Sequence, residues 1–93
     1  MKTVYKYKVF DPIAGAFSGG LLQMHPGPIL KVDSQNDSVC LWALIDTEKP
    51  SVPRRFCLVG TGHEVPPGCD YIGTAQVYGG ELVLHVFEAT EGR

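Results

Sequence analysis

Polar and apolar residues alternate with a period of two through much of this chain. Tyr5, Tyr7 and Val9 fall on one side and Lys6 and Lys8 on the other, which predicts a half-buried strand over about 3–10. Lysines on its outer side suit a sheet edge, where charge discourages unwanted pairing. Residues 11–20, DPIAGAFSGG, read as a loop with a short strand available from Phe17. An apolar segment at 21–24 is stopped by Pro26-Gly27-Pro28. A second clear strand is expected at about 29–33, followed by a turn, SQNDS, whose side chains can satisfy turn backbone.

The run 39–45, VCLWALI, is apolar on both sides. That pattern predicts a central strand covered on both faces, with Trp42 in the core. A Pro-containing loop at 46–53 leads to a strand at 54–59. A long irregular loop, 60–70, leads to another at 71–78. Gly79-Gly80 then makes a tight hairpin into 81–88, and 89–93 is expected to fray. No window of a dozen residues carries a helical apolar stripe free of Gly and Pro. The fold class that follows is all-β: a small antiparallel sandwich or partly open barrel of six to seven short strands, forming one domain over 1–93. Trp42, Leu44, Phe56, Leu58, Ile72, Leu84 and Val86 are the expected core.

Apolar residues make up 44% of the chain and charged residues 19%, a balance too apolar for a disordered segment. The formal net charge of −2 gives no global pull towards nucleic acid, which is therefore an unlikely partner. Three cysteines, Cys40, Cys57 and Cys69, are an odd count without paired spacing, so free thiols in a reducing, cytoplasmic setting are expected. No signal-peptide pattern follows Met1. The longest uncharged stretch, 12–30, is too rich in Gly and Pro for a membrane span.

Several constellations bear on chemistry. In Gly60-Thr61-Gly62-His63, two glycines permit positive φ and close approach of a ligand to backbone N–H groups. His63 could donate to an anion or act as an acid or base. The plainer reading is that the glycines shape a strand exit. Tyr71 and His85 are expected near this loop. Cys57-x5-His63 and His63-x5-Cys69 match no standard zinc spacing, so no metal and no cofactor are expected. His85 shares a strand side with Val83 and Phe87 and reads as a semi-buried histidine held by one hydrogen bond. A Cys–His nucleophile pair lacks any accompanying signature, and no catalytic residue is assigned. Lys6, Lys8, Arg54 and Arg55, with Tyr5 and Tyr78, could align into a basic strip; a solvated sheet edge is the plainer reading.

Met1–Thr3, Tyr5–Tyr7, Cys40–Leu44, Arg55–Phe56, Gly60–His63, Tyr71–Thr74, Gly79–Gly80 and His85–Glu88 carry a resemblance. In order and spacing these segments resemble an uncharacterised family of small bacteriophage and prophage proteins. The resemblance implies a phage or prophage origin, with the host cytoplasm as the working compartment, and it brings no established activity. Phage proteins of this size often act by binding, anti-defence factors among them. The expectation is a non-enzymatic protein that engages a host macromolecule stoichiometrically, using Gly60, Thr61, Gly62, His63, Tyr71, His85, Arg54 and Arg55. The alternative is a small-molecule or nucleotide binder that holds an anionic ligand at the 60–63 loop.

Overall fold

A computed structural model describes residues 1–10 and 20–89 of the chain. The predicted loop at 11–20 with its strand from Phe17, and the fraying tail, fall almost wholly outside the described residues. Seven strands are present among those described: β1 (Lys2–Phe10), β2 (Gly20–Met24), β3 (Ile29–Gln35), β4 (Ser38–Asp46), β5 (Val52–Gly60), β6 (Cys69–Val77) and β7 (Leu82–Ala89). They form two antiparallel sheets, β1-β4-β3 and β2-β5-β7-β6, that do not close into a barrel. The all-β sandwich read from the alternation is therefore the fold.

Local chemistry sets the connections. Gln35 pairs with Ser38, and Asn36 and Asp37 between them take φ of 52° and 61°. Positive φ at both central positions is the requirement of a type I′ hairpin, and Asn and Asp tolerate it best after Gly. The β6–β7 turn runs through a short 3₁₀ segment, Tyr78–Gly80, with the Tyr78 N–H donating to Asp37 Oδ1 at 2.9 Å. The two turns are thereby tied together at one end of the sandwich.

One face of each sheet points inward. Val39, Leu41, Ala43 and Ile45 of β4 meet Phe56 of β5 and Leu84 and Val86 of β7, all essentially inaccessible. Leu58 and Ile72 pack against this cluster from partly buried positions. Two glycines mark where the layers approach most closely. A Cβ on Gly73 of β6 would lie 2.5 Å from Val32 Cβ of β3, so only glycine lets these strands meet. Gly27, at φ 151°, would place a Cβ 1.7 Å from the Leu44 carbonyl oxygen.

Two expectations need correction. Trp42 and Leu44 are half-buried and face outward from the three-stranded sheet, while Ser38 and Cys40, in the first half of β4, are buried on that side too. Strand β5 starts at Val52, earlier than predicted. Its first residues pair with β2, with Pro53 opposite Gln23 on a stretch that has no β7 partner.

Candidate functional site

The outer face of the four-stranded sheet gathers most of the polar residues singled out in the sequence. Strand β7 sends Leu84, Val86 and Glu88 inward, so His85 and Phe87 point outward. In register, His85 lies between Val59 of β5 and Thr74 of β6. Strand β6 carries a bulge: Tyr71 pairs with Phe87 and Gly73 with Val86, leaving Ile72 extra. In a regular strand, residues 71 and 74 would face opposite ways. The extra residue returns both to one face, and Tyr71 Oη and Thr74 Oγ1 are 2.6 Å apart.

The chain of hydrogen bonds continues through the histidine. Thr74 Oγ1 lies 2.9 Å from His85 Nδ1, and Thr61 Oγ1 lies 2.8 Å from His85 Nε2. A neutral imidazole donates from one nitrogen and accepts at the other. One threonine hydroxyl therefore donates to the ring and the other accepts from it. His85 makes two such bonds, one more than expected. Beside this chain, the Tyr71 and Phe87 rings meet edge to face, with centroids 5.5 Å apart and planes at 68°. Tyr71 keeps 59% of its surface exposed.

Thr61 reaches His85 because of the turn that ends β5. The His63 N–H donates to the Gly60 carbonyl at 3.1 Å, and Gly62 has φ 88°. That closes a four-residue turn whose third position takes a positive φ, as in a type II turn, and glycine fits there without strain. The His63 ring folds back towards Gly60, is exposed, and lines an open cleft of about 360 Å³ with Leu58, Thr61, Glu81 and Leu82. The Glu81 carboxylate in the same cleft works against an anionic ligand.

A domain of unknown function, DUF7352, matches residues 1–93. The chain belongs to the DUF7352 family. No curated protein and no solved structure matches it.

The remaining candidates of this DUF7352 domain are divided between that face and other parts of the fold. Arg55 is exposed on the same outer face, opposite Leu21 of β2. Arg54 points the other way and is a correction. Its guanidinium is buried, with Nε and Nη2 donating to both Glu88 carboxylate oxygens at 2.7 and 2.8 Å, and Nη1 to the Gly27 carbonyl at 2.7 Å. Lys6 and Lys8 lie on β1, in the other sheet, and Tyr78 sits in the β6–β7 turn. The basic strip proposed across Lys6, Lys8, Arg54 and Arg55 therefore does not form.

Cys57 and Cys69 place their sulfurs 3.6 Å apart as free thiols on the outer face, and Cys40 is buried. His25 Nδ1 donates to the Lys49 carbonyl at 2.7 Å. Among the described residues, no three His, Cys, Asp or Glu side chains gather as a metal site. Thr74 and Phe87 belong to this candidate site and were not among the site residues expected from the sequence. A bulge that turns position 74 to the face of position 71 leaves no periodic signal.

Proposed function

We propose that this protein acts by binding another protein, stoichiometrically and without catalysis, through the outer face of β5, β7 and β6. The observation that carries this reading is the chain Tyr71–Thr74–His85–Thr61 beside Phe87. Its side chains already hold one another by hydrogen bonds and ring contact. Such a surface loses little side-chain freedom on docking, so more of the contact energy appears as affinity. Exposed Tyr71, with Leu21 and Arg55 at the β2 end, supplies the residue types that anchor interfaces. The resemblance to phage proteins supports a phage origin and a host protein as the partner, a defence component being one such target.

The arrangement fits catalysis less well. Thr61 and His85 are within reach of each other, as a nucleophile and base would be. The group behind the imidazole is the neutral Thr74 hydroxyl, however, and a neutral dipole stabilises an imidazolium far less than a carboxylate does.

The test is a photo-crosslinking amino acid placed at Gln76, at the margin of the face, in cells of a bacterial host. A captured protein is then purified and titrated against the chain. A saturable complex that Tyr71→Ala weakens by about tenfold or more, with folding intact, supports the reading. A complex indifferent to both Tyr71→Ala and Phe87→Ser overturns it.

A further inference from the structure

The opposite side of the sandwich carries a different chemistry. Even-numbered residues of β1 face outward with Trp42 and Leu44 of β4, so Lys2, Val4, Lys6 and Lys8 share that face. From β3, Lys31 and Asp33 join it. Four of the five lysines in the chain thus lie on one face of a protein whose formal net charge is −2. Trp42, the only tryptophan, is half-buried at its centre with Lys6 opposite on one side and Lys31 on the other. Lys6 Nζ reaches over β4 to Gln35 Oε1 at 2.6 Å, and Lys31 Nζ lies 3.3 Å from the exposed Asp33 carboxylate. Asp46, at the far end, is taken up by the chain's own N-terminal ammonium, 3.6 Å away.

We propose that this face binds single-stranded nucleic acid, with Trp42 stacking on a base and Lys2, Lys6 and Lys31 neutralising phosphates. An anionic partner is called for by the charge. The choice among anionic partners follows from where the indole sits. A strand of carboxylates would use the lysines but give the flat apolar ring between them nothing to stack on, whereas a nucleotide uses both. An open sheet surface also suits unpaired bases better than a duplex groove, which takes a helix or ribbon. The low net charge is no obstacle, because it averages over faces that differ in sign. This site is independent of the protein-binding reading, which uses the other sheet.

Trp42 is its own reporter. The chain is titrated with oligo-deoxythymidine of about 20 nucleotides, following indole fluorescence and, in parallel, anisotropy of a labelled oligonucleotide. The expected result is saturable quenching. Its affinity should fall roughly 20-fold between about 50 and 200 mM salt, from a slope near −0.7 for each of about three phosphates. Lys6→Glu with Lys31→Glu should abolish binding. Trp42→Leu, read by anisotropy, should weaken it about tenfold while the lysine contacts remain. Lys49→Glu, in the turn beyond the Lys2 end of the face, makes half that charge change and should weaken binding far less than the double substitution.

Absence of quenching and anisotropy change at low salt overturns the proposal. So does binding that Lys6→Glu/Lys31→Glu leaves intact. Polyglutamate binding as tightly as the oligonucleotide would reassign the face to an acidic protein. Tighter binding of a duplex without quenching would also refute stacking. None of these outcomes bears on Tyr71 and its partner.

Discussion

Removing the Glu88 carboxylate should destabilise this protein more than any surface substitution, although the pair it belongs to adds little net stability. Arg54 and Glu88 keep only 8% of their side-chain surface each, with the Arg54 Nε–Glu88 Oε2 contact at 2.7 Å. A second donor, Nη2, holds the other carboxylate oxygen at 2.8 Å, and the guanidinium lies 5.8 Å from the Phe56 ring centroid. The third contact, to the Gly27 carbonyl, clamps the connection that carries the chain from β2 in one sheet to β3 in the other. Glu88→Ala leaves a buried guanidinium with that carbonyl and the Phe56 ring but no counter-charge. An uncompensated charge of this kind costs about 3–5 kcal/mol. A chain of this size is stable by about 5–14 kcal/mol, so the loss takes a large share of the total. It should lower Tm by more than about 12 °C. The double substitution Arg54→Met/Glu88→Leu removes both charges and should recover much of that loss, although it also takes the donor from the Gly27 carbonyl. Urea melts followed by far-UV circular dichroism measure all of these variants. The reasoning fails if Glu88→Ala costs under about 1 kcal/mol with an unchanged m value, or if the double variant is as damaged as the single one.

Other perturbations test the packing and the titrating groups. Gly73→Ala should cost about 1–3 kcal/mol in the same melts, because its Cβ would fall 2.5 Å from Val32 Cβ, and Val32→Ala should recover part of that loss. Burial raises the Tyr7 phenol above its ordinary value, with Tyr5 adding to the effect and Arg54 opposing it. Its contribution to stability is complete below the unfolded-state value of about 10 and is lost as pH rises through the folded one, because the unfolded chain releases that proton first. Absorbance titration should find one tyrosine ionising later than the rest, absent in Tyr7→Phe. Thiol titration should count three free thiols in the denatured, unreduced protein. In the native protein Cys57 and Cys69 should react ahead of buried Cys40.

The strands were legible because most inward-facing residues obey the two-residue period between the bulges of β1, β3 and β6, and the turns because Asn36-Asp37 and Gly79-Gly80 suit turn backbone and can adopt positive φ. Three features were not legible, each for a physical reason. Arg54 reads as exposed because a charge is costly to bury, and the carboxylate that makes burial possible lies 34 residues away. Thr74 reads as inward-facing relative to Tyr71 until the extra residue at Ile72 is known. Trp42 reads as core because its neighbours are apolar on both sides. Yet alternation separates two faces without telling which of them a second layer covers. The Gly60–His63 segment lies between these cases. Its glycines have an architectural use in the turn, and that same turn brings Thr61 to His85.

The contrast between the two outer faces bears on what shaped this surface. In a two-layer sandwich the inward positions are constrained by packing, but an outward position needs only to be soluble and to accept an extended backbone. Mixed charges on both faces would meet those needs. Here the outward positions are partly sorted instead, with Asp33 and Asp46 interspersed among the lysines. Lysines and one indole occupy β1, β4 and β3, while hydroxyls, an imidazole, thiols and aromatic rings occupy β5, β7 and β6. Folding requires no such sorting. A bulge that turns Tyr71 and Thr74 to the same side also interrupts the ladder. Both features are accounted for if each face meets a partner of its own. A nucleic-acid strand on one side and a protein on the other could then be held at once, since the two surfaces are separated by the thickness of the sandwich.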